Sequence, residues 1–240
     1  MSLTDFKALS FDCYGTLIDW ESGMVAALSG LTSKVKGGLT RNMILEAHAR
    51  HESTQQRATP TRLYRDLLPV VYKRLAEEWG VSVSVDDCEA YGQSVRNWPA
   101  FADSPGALQY LKKYYKLFIL SNVDNRTFSY SNARLQVDFD AIYTAEDIGS
   151  YKPDDRNFVY MLDHIGDLGL KKNEVLHVAE SLFHDHKPAN RHGLANCWIF
   201  RRHEQDGFGA TMYPGELPKI DYRFHAMSDL AKAHQEALRG

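Results

Sequence analysis

The spacing of apolar residues changes period twice along this chain, and that restricts the fold more than any other feature. Phe6-Lys7-Ala8-Leu9-Ser10-Phe11 reads as a short buried parallel strand. From about Trp20 to Trp98 the pattern is helical. Thr40 is placed to cap a helix running through Arg41-Asn42-Met43-Ile44-Leu45-Glu46-Ala47. A second helix is predicted from near Thr61 through Leu63, Leu67, Leu68, Val71 and Leu75, stopping at Gly80. Asp86 is expected to cap a third, reaching about Val95, and Trp98-Pro99-Ala100-Phe101 reads as an extended link. From Ser104 onward helices alternate with short apolar runs at 116–120, 141–144, 175–179 and 195–200. Such alternation requires a parallel sheet with right-handed crossovers. The opening strand must join that sheet despite the long helical segment that follows it. The expected architecture is therefore an α/β core from residues 1–19 and 99–240 with an inserted helical cap at 20–98, hinged near Asp19-Trp20 and Trp98-Pro99.

Chemistry gathers at the ends of the strands. After the first come Asp12, Tyr14 and Thr16, with Gly15 allowing a sharp turn whose N–H groups can face an anion. After 116–120 come Ser121 and Asn122. Tyr151-Lys152-Pro153 precedes a helix. After 175–179 come Glu180, Ser181, His184, Asp185 and His186. In a parallel sheet these ends share one edge and meet in one crevice. A carboxylate in such a place suits nucleophilic attack on a substrate that carries a leaving group.

Bulk properties exclude other classes. The net charge of −3 argues against general nucleic-acid or membrane-surface binding. No apolar run reaches the roughly 20 residues that span a bilayer, and MSLTDFKALS has no signal-peptide core. Cys13, Cys88 and Cys197 have no metal or CxxC spacing, which fits a reducing cytoplasm.

The order DxYGT, SN, YKP and then an acidic stretch resembles the haloacid dehalogenase (HAD) superfamily, nearest its type II 2-haloacid dehalogenase branch. FDCYGTLIDW, ILSNVD, GSYKP and HVAESLFHDHKPAN are also similar to the azetidine-2-carboxylate hydrolases of that branch, which open a strained ring imino acid. The resemblance implies a Rossmann-like parallel sheet with a cap, an Asp12 nucleophile that forms an ester on substrate carbon, and water that cleaves the ester. Catalytic roles then fall to Asp12, Thr16, Ser121, Asn122, Lys152 and Asp185. Thr16 and Ser121 are expected to hydrogen-bond the Asp12 carboxylate or the substrate, and Lys152 to keep Asp12 ionised. Cys13, Tyr14, Trp20, Arg41 and Glu180 are expected to contact substrate, with Arg41 closing over the leaving group. The implied substrate is a small 2-substituted carboxylic acid, the implied assembly a homodimer, and no cofactor is expected.

Two alternatives stay open. Phosphatases of the superfamily carry a second Asp two residues after the nucleophile, and this chain has Tyr14, whose ordinary pKa of about 10 makes it a poor proton donor. That favours attack at carbon. Glu180 and Leu182, however, replace the Ser and Asn of the type II branch, and Phe158 replaces its Tyr. Asp12, Glu180 and Asp185 are spaced as the Mg²⁺ ligands of the phosphatases are. The same Glu180 and Asp185 would instead attract a protonated ring nitrogen and repel a halide. His184 and His186 flank Asp185 and are placed to tune it. Trp20, Trp98 and Phe101 are placed either to wall a pocket or to pack cap on core.

Overall fold

A computed structural model describes all 240 residues. The first strand, β1 (Ala8–Phe11), is fully buried. Four helices make up the inserted segment that follows: α1 (Trp20–Thr32), α2 (Arg41–Ala58), α3 (Tyr64–Glu78) and α4 (Val85–Gly92). Then come α5 (Ser104–Leu111), β2 (Lys116–Ser121), α6 (Asn125–Leu135), β3 (Ala141–Thr144), α7 (Ala145–Ile148), α8 (Asp155–His164), β4 (Val175–Ala179), α9 (Lys187–Arg191), β5 (Ala195–Ile199), β6 (Tyr222–Phe224) and α10 (Met227–Ala237).

The six strands form one parallel sheet in the order β3-β2-β1-β4-β5-β6. The chain builds outward from β1 on one side, then crosses over to build on the other. The crevice for a ligand therefore opens between the C-terminal ends of β1 and β4. The register places Phe11 level with Ile119 and Val178, so the residues just past these three strands converge.

The turn after β1 depends on local geometry. The Cys13 carbonyl accepts from Leu17 and Ile18 N–H, and Gly15 sits at φ +94°. A Cβ at Gly15 would lie 2.9 Å from the Trp20 indole nitrogen, so glycine is required twice over, by backbone and by neighbour. The two links to the helical segment are tied together: Asp19 N–H donates to Pro99 O at 2.8 Å, and Phe101 N–H to Leu17 O at 3.0 Å. Trp98 packs edge-on to Tyr14 and so close to α1 that a Cβ on Gly23 would come within 2.4 Å of it. One apolar cluster of 44 buried residues runs from the sheet into α1–α4, so cap and core share a continuous interior.

Several expected boundaries shift. Thr40 caps α2 as expected, but the helix runs eleven residues past Ala47 to Ala58. The α3 helix begins at Tyr64 rather than Thr61. Ser84, not Asp86, caps α4, because Ser84 and Asp87 close a reciprocal capping box; Asp86 stands in the first turn. The three-residue edge strand β6 and the C-terminal α10 have no counterpart in the sequence reading; α10 seats Met227 and Leu230 in the main cluster. No helix is long and apolar enough to cross a membrane, and the three cysteines are free and buried.

Candidate active site

Asp12 stands one residue beyond β1, its backbone N–H donating to Val178 O at 3.1 Å. Both its carboxylate oxygens are held. Lys152 Nζ donates to Oδ1 at 2.9 Å, and the Thr16 hydroxyl donates to Oδ2 at 2.8 Å. Thr16 reaches back because the Gly15 turn brings it under Asp12, and its Oγ1 also accepts from Glu180 N–H.

Lys152 is buried and fully bonded. Its ammonium has three hydrogens, and these go to Asp12 Oδ1, Leu120 O at 2.8 Å and Asp185 Oδ1 at 2.6 Å. Its backbone is clamped by Asn122, whose amide donates to Lys152 O and whose carbonyl accepts from Lys152 N–H. Asn122 thus positions the lysine.

Asp185 sits on the π-helical turn 182–186, where Ser181 Oγ accepts from His184 N–H. Beneath it lies a chain that sequence reading missed. Ser10 donates to His177 Nδ1 at 2.9 Å, and His177 Nε2–H donates to Asp185 Oδ1 at 3.1 Å. An ionised carboxylate only accepts, which fixes that tautomer. Asp185 Oδ2 has no partner. His186 is spent on structure, its Nε2–H donating to Ala179 O.

The charges follow from these bonds. Burial works against the Lys152 ammonium, but Asp12 and Asp185 outweigh it and hold the lysine above its ordinary pKa. Burial would lift Asp185, yet Lys152 and His177 hold it well below the usual carboxylate range. Burial pushes Asp12 up against the opposing pull of Lys152 and Thr16. Tyr14 is raised well above 10 by burial and is bonded to Ser131 Oγ at 2.8 Å, so it is a still weaker proton donor than an ordinary tyrosine.

A small cavity of about 30 Å³, room for a water or two, opens over Asp12. Its floor is Asp12, Asn122, Lys152, Ser181, His184 and Asp185; Tyr14, Trp20, Val123 and Thr211 form the walls. Glu52 and Gln56 from α2 and Tyr64 from α3 form the ceiling. Burial lowers His184 to about 4, so the imidazole is neutral at pH 7.

Four expected site residues take other places. Cys13 is wholly buried in the apolar cluster and does not line this cavity, because neighbouring side chains leave the backbone on alternate sides. Ser121 makes no bond to Asp12: Lys152 and Thr16 already hold both oxygens, and the Ser121 hydroxyl is buried without a partner. Arg41 begins α2, eleven residues and about 16 Å of helix from the ceiling position Glu52, and is largely exposed. It lines a separate cavity of about 100 Å³ beyond Trp20. Glu180 lines that second cavity too, raised by burial and by Glu21 to about 8. Trp20 is the wall common to both cavities, while Trp98 serves packing and Phe101 lies under the Arg201 guanidinium at 4.0 Å.

A magnesium ion does not fit the residues proposed for it. No three of the chain's His, Cys, Asp and Glu side chains gather as a ligand group. The Lys152 ammonium stands between Asp12 and Asp185, where a cation would need their oxygens, and Glu180 faces the other cavity.

The ceiling and the underlying histidine escaped sequence reading for identifiable reasons. Glu52 and Gln56 lie beyond the point where the predicted helix faded, although His48, Glu52 and Gln56 repeat every four residues on one helical face. His177 sits inside an apolar strand, and Thr211 in the long connection between β5 and β6.

Comparison with known proteins agrees with this geometry. The family model for haloacid dehalogenase-like hydrolases matches residues 6–193. The (S)-2-haloacid dehalogenase of Pseudomonas sp. (strain YL) is 30% identical over 205 residues, covering 81% of this chain and 83% of that protein. Solved structures share the fold, two dehalogenases among them. The L-2-haloacid dehalogenase of Xanthobacter autotrophicus with chloropropionic acid covalently bound superposes with a TM-score of 0.75 at 18% identity, covering 96% of this chain and 98% of that one. The L-2-haloacid dehalogenase PA0810 gives 0.74 at 22% identity, covering 96% and 99%. With its sheet order, its strand-end Asp-Lys pair and a relative that spans four-fifths of its length, this chain belongs to the haloacid dehalogenase-like hydrolases.

Proposed function

We propose that the protein is a metal-independent hydrolase whose Asp12 attacks a carbon atom of a small 2-substituted carboxylic acid. The observation that carries this reading is the state of Asp12: a carboxylate bonded by an ammonium and a hydroxyl, facing a cavity, with Tyr14 in place of a proton donor. Attack by an Asp12 oxygen forms a C–O bond and expels the leaving group with its electron pair. A halide needs no proton, and a protonated ring nitrogen brings its own. Each Asp12 oxygen retains a lone pair outside its hydrogen bond. Asp185 lines the cavity, and its buried, unpartnered Oδ2 is left to accept from the water that then attacks the ester carbonyl.

The named action of the Pseudomonas relative and the chloropropionate adduct of the Xanthobacter enzyme support a haloacid-type reaction. The resemblance of FDCYGTLIDW, ILSNVD, GSYKP and HVAESLFHDHKPAN to azetidine-2-carboxylate hydrolases favours ring opening as the variant of it. Residues 20–98 act as the cap in this reading. The cavity is too small for either substrate, so the cap lifts to admit it; a cleft of about 410 Å³ that shares Gln56 and Lys152 with the cavity is the entrance. The three free cysteines suit the cytoplasm.

Turnover of L-2-chloropropionate, L-azetidine-2-carboxylate and p-nitrophenyl phosphate, each with and without EDTA, tests the proposal. Activity on either carboxylic acid that is indifferent to chelation is expected. Turnover of the phosphate ester alone, lost with EDTA, would replace this reading with a Mg²⁺-dependent phosphatase of the same fold.

A further inference from the structure

The ceiling of the Asp12 cavity is chemically unlike what a departing halide calls for. Its charged candidate is an acid. Glu52 is buried at 4% exposure and lines the same cavity as Asp12. Its Oε1 accepts from the Tyr64 hydroxyl at 2.7 Å. Its Oε2 has no hydrogen-bond partner; the nearest basic nitrogen is His48 Nδ1, at 3.9 Å. Gln56, one turn further along α2, adds an amide to the same ceiling.

No free cation faces this space. Lys152 is the only Lys or Arg that lines the cavity, and its three hydrogens are already donated. The guanidiniums of Arg41, Arg201 and Arg202 line the other cavity, behind Trp20. An anion leaving Asp12's substrate would meet a carboxyl group with no counter-charge, whereas an N–H would meet an acceptor.

We infer that Glu52, oriented by Tyr64, is the group that recognises the leaving atom, and that it selects a nitrogen bearing N–H over a halide. The inference rests on the Asp12-ester reading and specifies its substrate class: a small carboxylate whose α-carbon is bonded to a protonated, strained ring nitrogen. As an Asp12 oxygen bonds to that carbon, the C–N bond breaks and its electron pair stays on nitrogen. The nitrogen leaves as the neutral amine of the opened chain, still held at Glu52. Water then cleaves the ester at the Asp12 acyl carbon, and one water is consumed overall. Burial raises Glu52 to about 7, so near neutral pH it can stand as a carboxylate against the protonated ring nitrogen and take up a proton from water once that nitrogen is neutral.

Binding to the Asp12→Asn protein separates this inference from the ester chemistry. Calorimetry would compare L-azetidine-2-carboxylate with cyclobutanecarboxylate, a ring of similar size without the nitrogen. The azetidine is expected to bind at least about tenfold tighter, and adding Glu52→Gln, which keeps an acceptor for Tyr64, should shrink the preference to threefold or less. Equal binding of the two rings, or a preference that survives Glu52→Gln, would overturn the inference. Should the Gln variant not fold, Glu52→Asp serves: it must weaken the azetidine about tenfold while leaving cyclobutanecarboxylate within threefold, and equal losses contradict the proposal. Failure of the ester reading shows elsewhere, as absent label on Asp12 in the wild-type protein.

Discussion

The floor and the ceiling of the Asp12 cavity are built on opposite principles. On the floor every charged group is bonded: Asp12, Lys152, Asp185 and His177 form one chain from Thr16 to Ser10. In the ceiling, buried polar groups go wanting. Glu52 is satisfied on one oxygen only, and behind it both ring nitrogens of the buried His48 lack partners. A network bonded this closely, open only at Asp185 Oδ2, holds its geometry before substrate arrives. An unsaturated one is completed by what binds. On the proposed reading the floor supplies the reaction and the ceiling chooses the substrate.

The sharpest way to break this contrast is to open the floor. Asp12→Asn should lower kcat by about 10⁴-fold or more on any accepted substrate, as loss of a covalent nucleophile does; residual activity within tenfold of wild type would show that the floor does not supply the nucleophile. Lys152→Met leaves two buried carboxylates without their cation. It should cost roughly 3–5 kcal/mol of stability besides activity, read as a fall in the urea midpoint. The smaller change His177→Phe strands Ser10 and one bond to Asp185, and about 1–3 kcal/mol is expected from the lost buried hydrogen bonds. If ester hydrolysis alone slows, the Asp12 ester should accumulate in that variant and be visible by intact mass.

The ceiling is tested by pH. Burial raises Glu52 above its unfolded value, to about 7. The native state therefore holds a proton that the unfolded chain has released, and Glu52's contribution to stability is present in acid and lost as pH rises through 7. His48, lowered by burial to about 3, acts in the opposite direction, so its contribution is lost as pH falls below the ordinary histidine range. The difference between wild type and Glu52→Gln isolates the acid: the variant should gain relative stability between about pH 5 and 8. A flat difference would mean that Glu52 is ionised throughout and that the ceiling is charged.

The same contrast governs what the sequence made legible. The floor residues lie directly after strands whose apolar runs announce them, or at the start of the helix that Tyr151-Lys152-Pro153 precedes, so the parallel sheet and the meeting of Asp12, Thr16, Lys152 and Asp185 followed from position. The departures have physical causes. Cys13 and Ser121 are adjacent to the motif in sequence, but side-chain alternation buries one and prior bonding of Asp12 excludes the other. Arg41 and Glu180 belong to the cavity behind Trp20, and no linear pattern reveals on which side of one indole a residue lies. The ceiling comes from a mostly polar helix whose buried face is marked by His48, Glu52 and Gln56, residue types ordinarily read as solvent-facing.

The central claim is that an Asp12 oxygen becomes bonded to substrate. A single turnover in H₂¹⁸O, followed by mass analysis of the peptide containing Asp12, measures this directly. Ester formation places the label in the Asp12 carboxylate and leaves the product's new hydroxyl unlabelled. Label in the product alone, with an unlabelled Asp12 peptide, would show that water attacks the substrate directly and would contradict the account.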